Sequence, residues 1–294
     1  MSTVSPLVLD APPVLAPATT GAPRWRWPRW RVAPVLAALF LLALALAAVA
    51  PHWFTALDPL EGDFLAVLQP PDAAHWFGTD RLGRDVWTRT VYGARYSLTI
   101  GLASTALAVL LGVLLGIGAG LSGRWLDEAV ARLLDVISSF PGVLLAMLVV
   151  IFLGPGLANI AIAVGIAGVP KFGRIVRAQT LQVRQADYVT HAVIYGRSRV
   201  QVFLRHVLPN VLSAVPITAT VYVGSTILAT SGLSFLGLGP QPPTPEWGVM
   251  LAESRDVLRV AWWPGLFPGL AITLTVVAFT VLGQDLQRRF EGRS

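Results

Sequence analysis

Residues 98–121 run without a single charged side chain. As a helix they would rise about 36 Å, enough to cross a hydrocarbon layer about 30 Å thick. Five further apolar stretches share the chain with them, at residues 35–49, 136–153, 157–169, 211–235 and 264–282. Charged residues make up only 13% of the chain, about half the roughly 25% of a soluble domain. The expectation is an all-α integral membrane protein with six transmembrane helices. The stretch at 157–169 is short, about 20 Å of helix, and is expected to continue through Phe172 towards Arg174. Ser139-Phe140-Pro141 should kink the third span, because a proline removes a helical hydrogen bond.

The longest polar interruption in the second half is residues 186–210, and it is patterned. Ala186, Val189, Val193, Gly196, Val200, Phe203 and Val207 recur at gaps of three and four, which is one stripe down a helix. Gly196 suits the left-handed conformation that ends a helix. Ser198 with Gln201 three residues on reads as a capping box that starts another, and Leu208-Pro209 is expected to stop it. The result is a basic helix, sharp turn and helix carrying Arg197, Arg199 and Arg205 between two spans. An ordinary basic loop serving topology alone is the blander reading.

Ala192, Gly196, Leu208 and Pro209 resemble the EAA loop (Glu-Ala-Ala-x3-Gly-x9-Ile-x-Leu-Pro) of bacterial ABC importer permeases. Thr190 stands where that pattern has glutamate, His191 where it has the first alanine, and His206 where it has isoleucine. Tyr188-Val189 before the loop and Arg205 to Asn210 within it are similar to the dipeptide/oligopeptide/nickel branch. So are Gly78-Thr79-Asp80, Leu82-Gly83-Arg84-Asp85 and Tyr92-Gly93-Ala94-Arg95, and the run from Ser234 to Gly239 with Pro242-Pro243 and Trp247-Gly248. Thr230 again replaces a usual glutamate. The resemblance covers about residues 75–290. It implies the type I ABC importer permease fold in a bacterial inner membrane, with both termini cytoplasmic. It also implies a second homologous permease, two ATPase subunits docked on the loop, and an external substrate-binding protein. The coupling residues it points to are Ala192, Gly196, Arg197, Arg205, Leu208 and Pro209, with Thr190 and His191 as the variant face. The solute is expected to be a di- or oligopeptide. A nickel chelate or another small solute is the alternative, and a channel or structural subunit without an ATPase is the rival from another class.

The division expected is a disordered tail at 1–33, a first helix at 34–50, an external segment at 51–96, a permease core at 97–284 with its coupling loop at 171–210, and a tail at 285–294. Arg24, Arg26, Arg29 and Arg31 interleave with Trp25, Trp27 and Trp30 ahead of the first span, as suits a membrane interface. Binding of nucleic acid is the disfavoured rival. Ala48-Val49-Ala50 also resembles a signal-peptide cleavage site, although the polar leader is long for one, so an uncleaved helix is preferred. With both termini inside, sixteen of the 22 Lys and Arg face the cytoplasm and six face out, in keeping with the positive-inside bias. Asp80, Arg84 and Asp85 are expected to pair at a turn, and Arg89 and Arg95 to sit at headgroup level, in a stabilising rather than substrate-contacting role. Gly112, Gly116 and Gly120, four residues apart, form a face for close helix packing in lipid.

Several chemistries find no residues to carry them. The six apolar stretches hold no Asp, Glu, Lys, Arg or His, groups that ion-coupled carriers usually need at depth. The one lysine, Lys171, lies between Pro170 and Phe172, outside any phosphate-binding Gly-Lys-Ser/Thr loop. None of His52, His75, His191 and His206 belongs to an HExxH, and there is no cysteine. No cofactor, metal site or catalytic residue is expected within the chain.

Overall fold

The computed structural model describes residues 32–291. The basic-aromatic segment before the first span lies outside them. Among the described residues there is no strand, only two isolated bridges, Gly62 with Arg84 and Thr79 with Asp85. Eleven helices follow in order: α1 Val32–Val49, α2 Val86–Leu121, α3 Arg124–Ser138, α4 Gly142–Leu153, α5 Leu157–Arg184, α6 Asp187–Ile194, α7 Arg199–Val202, α8 Leu208–Leu212, α9 Val215–Phe235, α10 Trp247–Ser254 and α11 Trp263–Glu291. Four are long and apolar enough to cross a membrane, or six spans if each of two bent pairs counts as one. The helical membrane architecture expected from the hydropathy is therefore present.

The boundaries differ where charge and structure part company. The second span was expected to begin at Leu98, yet α2 begins at Val86 and runs 36 residues. Asp85 caps it, accepting the Thr88 N–H at 2.7 Å. Arg89 and Arg95 precede the uncharged run without ending the helix, because arginine is a good helix former, and the Arg89 charge is met by Glu253. Helix α3 fills the stretch after Leu121, with Val130 and Leu134 buried and Trp125 exposed. Pro141 does more than kink one span. It precedes α4, which lies at 88° to α3. The short fourth stretch extends to Arg184 with Pro170 inside it, so residues 171–184 are helix, not loop. At the C-terminus, helix α11 continues to Glu291 through most of the expected tail.

Helices α2 and α5 form the most extensive pair. A Cβ at Gly112 would lie 2.5 Å from the Phe172 Cβ, one at Gly116 2.7 Å from the Gly173 carbonyl oxygen, and one at Gly120 2.6 Å from the Thr180 Cβ. The glycine face thus meets α5 backbone directly, with no room for a methyl group. Helices α9 and α11 close the other side of the bundle against α2. One apolar cluster gathers Val86, Ile227, Trp247 and Trp263. Another gathers Val176, Val189, Ala192, Val202, Val207 and Val211, and holds the 186–210 segment to α5.

Candidate functional site

The 186–210 segment is a helix, a turn and a second helix. Helix α6 is closed two residues past its end by Gly196, whose φ is +77°. The Arg197 N–H donates to the Ala192 carbonyl at 3.2 Å and the Gly196 N–H to the Val193 carbonyl at 3.0 Å, the paired closure of a Schellman motif. Ser198 then opens α7. Its Oγ accepts the Gln201 N–H at 3.3 Å, and its own N–H donates to Gln201 Oε1 at 3.4 Å, completing the capping box.

Leu208-Pro209 was expected to stop the second helix, and it does not. Residues Phe203–Val207 widen into one π-helical turn, in which the Leu208 N–H reaches the Phe203 carbonyl. The chain then re-enters α-helix with Pro209 in the first turn of α8. A proline has no N–H to donate and is tolerated at such a start. The apolar stripe also sits partly off the expected register. Val189, Ala192, Val202 and Val207 are buried, whereas Val193 and Val200 are 53% and 66% exposed. The turn at Gly196 rotates one helix relative to the other, so a single continuous stripe could not place both.

This leaves Thr190, His191, Gly196, Arg197, Arg205 and Pro209 exposed on the outer side, Leu208 half-buried, and Ala192 turned inward. Among the described residues, Arg197, Arg199 and Arg205 have no carboxylate partner, whereas Arg174 and Arg177 pair with Asp135 and Asp127 of α3 at 2.9 and 2.7 Å. The segment therefore presents a capped, basic, solvent-facing edge on a buried apolar base. Such a body can be pushed as a unit by whatever grips its outer side.

At the far end of the bundle, charges converge. Arg84 Nε meets Asp80 Oδ2 at 2.7 Å, and the Arg84 and Arg89 Nη2 atoms meet Glu253 at 3.1 and 2.8 Å. Arg84 and Asp80 pair as expected. Asp85 instead caps α2 and bonds His75 Nδ1 at 2.9 Å. Arg89 is 1% exposed, whereas Arg95 is exposed. Glu253 lies in α10, and nothing near it in the sequence signals that it answers arginines so distant. Next to it, Glu246 caps α10. Its carboxylate accepts the Val249 N–H at 2.9 Å and the Ser97 hydroxyl at 3.1 Å. Burial pushes its pKa up, against the opposing pull of those donors.

Helices α4, α5 and α9 line an open cavity of about 190 Å³, walled by residues such as Val164, Ala167, Tyr222, Ser225 and Ala229.

Residues 112–294 match the family described as binding-protein-dependent transport system inner membrane component. The dipeptide transport system permease protein of Alkalihalophilus pseudofirmus is 44% identical over 220 residues, covering 75% of this chain and 72% of that protein. The glutathione transport system permease protein of Escherichia coli O157:H7 is 40% identical over 284 residues, covering 95% of this chain and 94% of that one. A crystal structure of an amino acid ABC transporter with histidines aligns with a TM-score of 0.52 at 14% identity, over 70% of this chain and 94% of that chain. That likeness is one of fold.

Proposed function

The chain belongs to the binding-protein-dependent transport system inner membrane component family, and on that premise we propose that it forms half of the path of an ATP-driven importer of di- or oligopeptides. It is a multi-pass membrane permease of the type I importer fold, and its relatives are transport permeases rather than enzymes. The peptide assignment draws on relatives whose names are those of dipeptide and glutathione permeases. The proposed setting is a bacterial inner membrane with both termini inside, a second permease completing the path, two ATPase subunits beneath, and a binding protein outside.

The observation that carries the mechanism is the 186–210 body. It is capped at Gly196 and Ser198, seated on α5 through Val189, Ala192, Val202 and Val207, and free on its basic outer edge. In this reading an ATPase subunit grips Thr190, His191, Gly196, Arg197, Arg205 and Pro209. ATP closes the ATPase pair, the body moves with it, and the apolar base carries the displacement into α5 and α9. Ala192 and Leu208 transmit rather than touch.

The test is purification in detergent from cells expressing the native operon, with mass spectrometry of what accompanies this chain. A second permease and one or two P-loop ATPases are expected. Recovery of this chain alone, as a stable homo-oligomer from an intact operon, would refute the importer assembly and favour the channel reading.

A further inference from the structure

Lys171 is the only lysine in the chain, and it lies inside α5 rather than beyond it. It stands fourteen positions into that helix, about 21 Å along the axis and less than the roughly 30 Å of a hydrocarbon layer, and its side chain is exposed on this chain. Val164, Ala167 and Lys171 follow at gaps of three and four, one face of the helix. Val164 and Ala167 wall the 190 Å³ cavity. Lys171 therefore stands one turn beyond Ala167 on the same helix face, next to the residues that wall the cavity rather than among them.

Its ammonium stays there. The Nζ atom lies 4.7 Å from the centroid of the Tyr222 ring, and Tyr222 itself walls the cavity. The ring is fixed in turn: a Cβ on Gly168 would lie 2.3 Å from its hydroxyl oxygen, and Phe172 packs edge-on at 5.2 Å. The ring face attracts the cation, but it supplies no counter-charge. Among the described residues, Lys171 has no carboxylate partner, although Arg174 and Arg177 farther along the same helix each have one. An ammonium at membrane depth without an anion is costly, and such groups mark solute or ion paths. The wall also carries the hydroxyls of Tyr222 and Ser225, which supply no charge, whereas the Thr226 hydroxyl is taken up by Thr105 and the Gly101 carbonyl.

We propose that Lys171, held against Tyr222, is the point in this chain's path that takes the free carboxylate of the passing solute. The inference rests on the importer reading and adds to it the chemical group recognised and the residue that recognises it. A carboxylate could also come from a side chain of the second permease, so the test separates the two sources.

The complete assembly is reconstituted in proteoliposomes with the wild-type chain, Lys171→Met or Lys171→Arg. Uptake of alanyl-phenylalanine and of its C-terminal amide is measured, each saturating the same binding protein, whose own preference then cancels between variants. The expected result is that Lys171→Met lowers uptake of the free acid at least about tenfold relative to the amide, the scale of one charge-assisted hydrogen bond, while Lys171→Arg keeps the wild-type ratio. An unchanged ratio in Lys171→Met, whether both rates persist or both fall, overturns the inference. So does failure of Lys171→Met to assemble with the second permease, which assigns the lysine to a partner carboxylate. Failure of the wild-type assembly to take up either compound refutes the peptide reading itself, and is visible before any variant is compared.

Discussion

Arg84 and Glu253 stand 169 residues apart in sequence and meet at 3.1 Å between Nη2 and Oε1. With Arg89 and Asp80 they make a largely buried set of two cations and two anions, Glu253 being 10% exposed, which ties the segment before α2, the first turn of α2 and helix α10 together. Breaking a buried pair by removing one partner leaves uncompensated charge and costs about 3–5 kcal/mol. Glu253→Gln should therefore lower the thermal unfolding midpoint in detergent markedly. Arg81, 42% exposed and 3.6 Å from the same carboxylate, should matter far less, since exposed pairs contribute about 0–1 kcal/mol. Equal losses from Glu253→Gln and Arg81→Ala would contradict this ranking.

The contact of α2 with α5 predicts a second contrast. Gly116→Ala places a methyl 2.7 Å from a backbone oxygen of α5, and overpacking of this kind costs about 1–3 kcal/mol. Gly118→Ala, in the same helix, meets nothing within 4 Å and should gain a few tenths to about 1 kcal/mol from helix propensity. Unfolding midpoints of the two variants should move in opposite directions.

Glu246 predicts a dependence on pH. Burial raises its pKa in the folded state above the ordinary value of 4.5. A raised carboxyl contributes stability that is fully present below pH 4.5 and is lost as pH rises through the folded-state value. The wild-type midpoint should fall across that window. Glu246→Gln, which keeps an acceptor for the Val249 N–H and carries no charge, should remove that part of the slope. An identical slope in both proteins would show that the residue does not titrate with unfolding.

Gly196 separates backbone from contact. A Cβ there meets nothing within 4 Å, so Gly196→Val acts only through its φ of +77°, which a β-branched residue resists. The protein should remain in the membrane while ATP hydrolysis by the assembly no longer drives uptake. Normal uptake per ATP would refute the role of this turn.

The sequence made some of this legible and hid the rest for physical reasons. Six apolar stretches are visible because lipid tolerates so little charge. The cap at Ser198 is visible because a capping box is local, and so are the glycines of α2, spaced one turn apart. What distance hides is pairing: nothing near Arg89 announces Glu253, so its burial could not be read. Treating charge as the end of a helix placed the start of α2 too late and ended the fourth stretch near Arg174, about ten residues short of Arg184. The π-turn at Phe203–Val207 was out of reach because Pro209 reads as a stop until a wider turn is seen to absorb it.

The account turns on whether the outer edge of the 186–210 body is gripped by an ATPase. The chain has no cysteine, so His191→Cys, on the exposed side, introduces a unique site for a short thiol-to-amine cross-linker in the assembled complex. The account predicts one dominant cross-linked product joining this chain to a P-loop ATPase, and loss of ATP-driven uptake once it forms. No product with the ATPase, or full uptake after complete cross-linking, would contradict it.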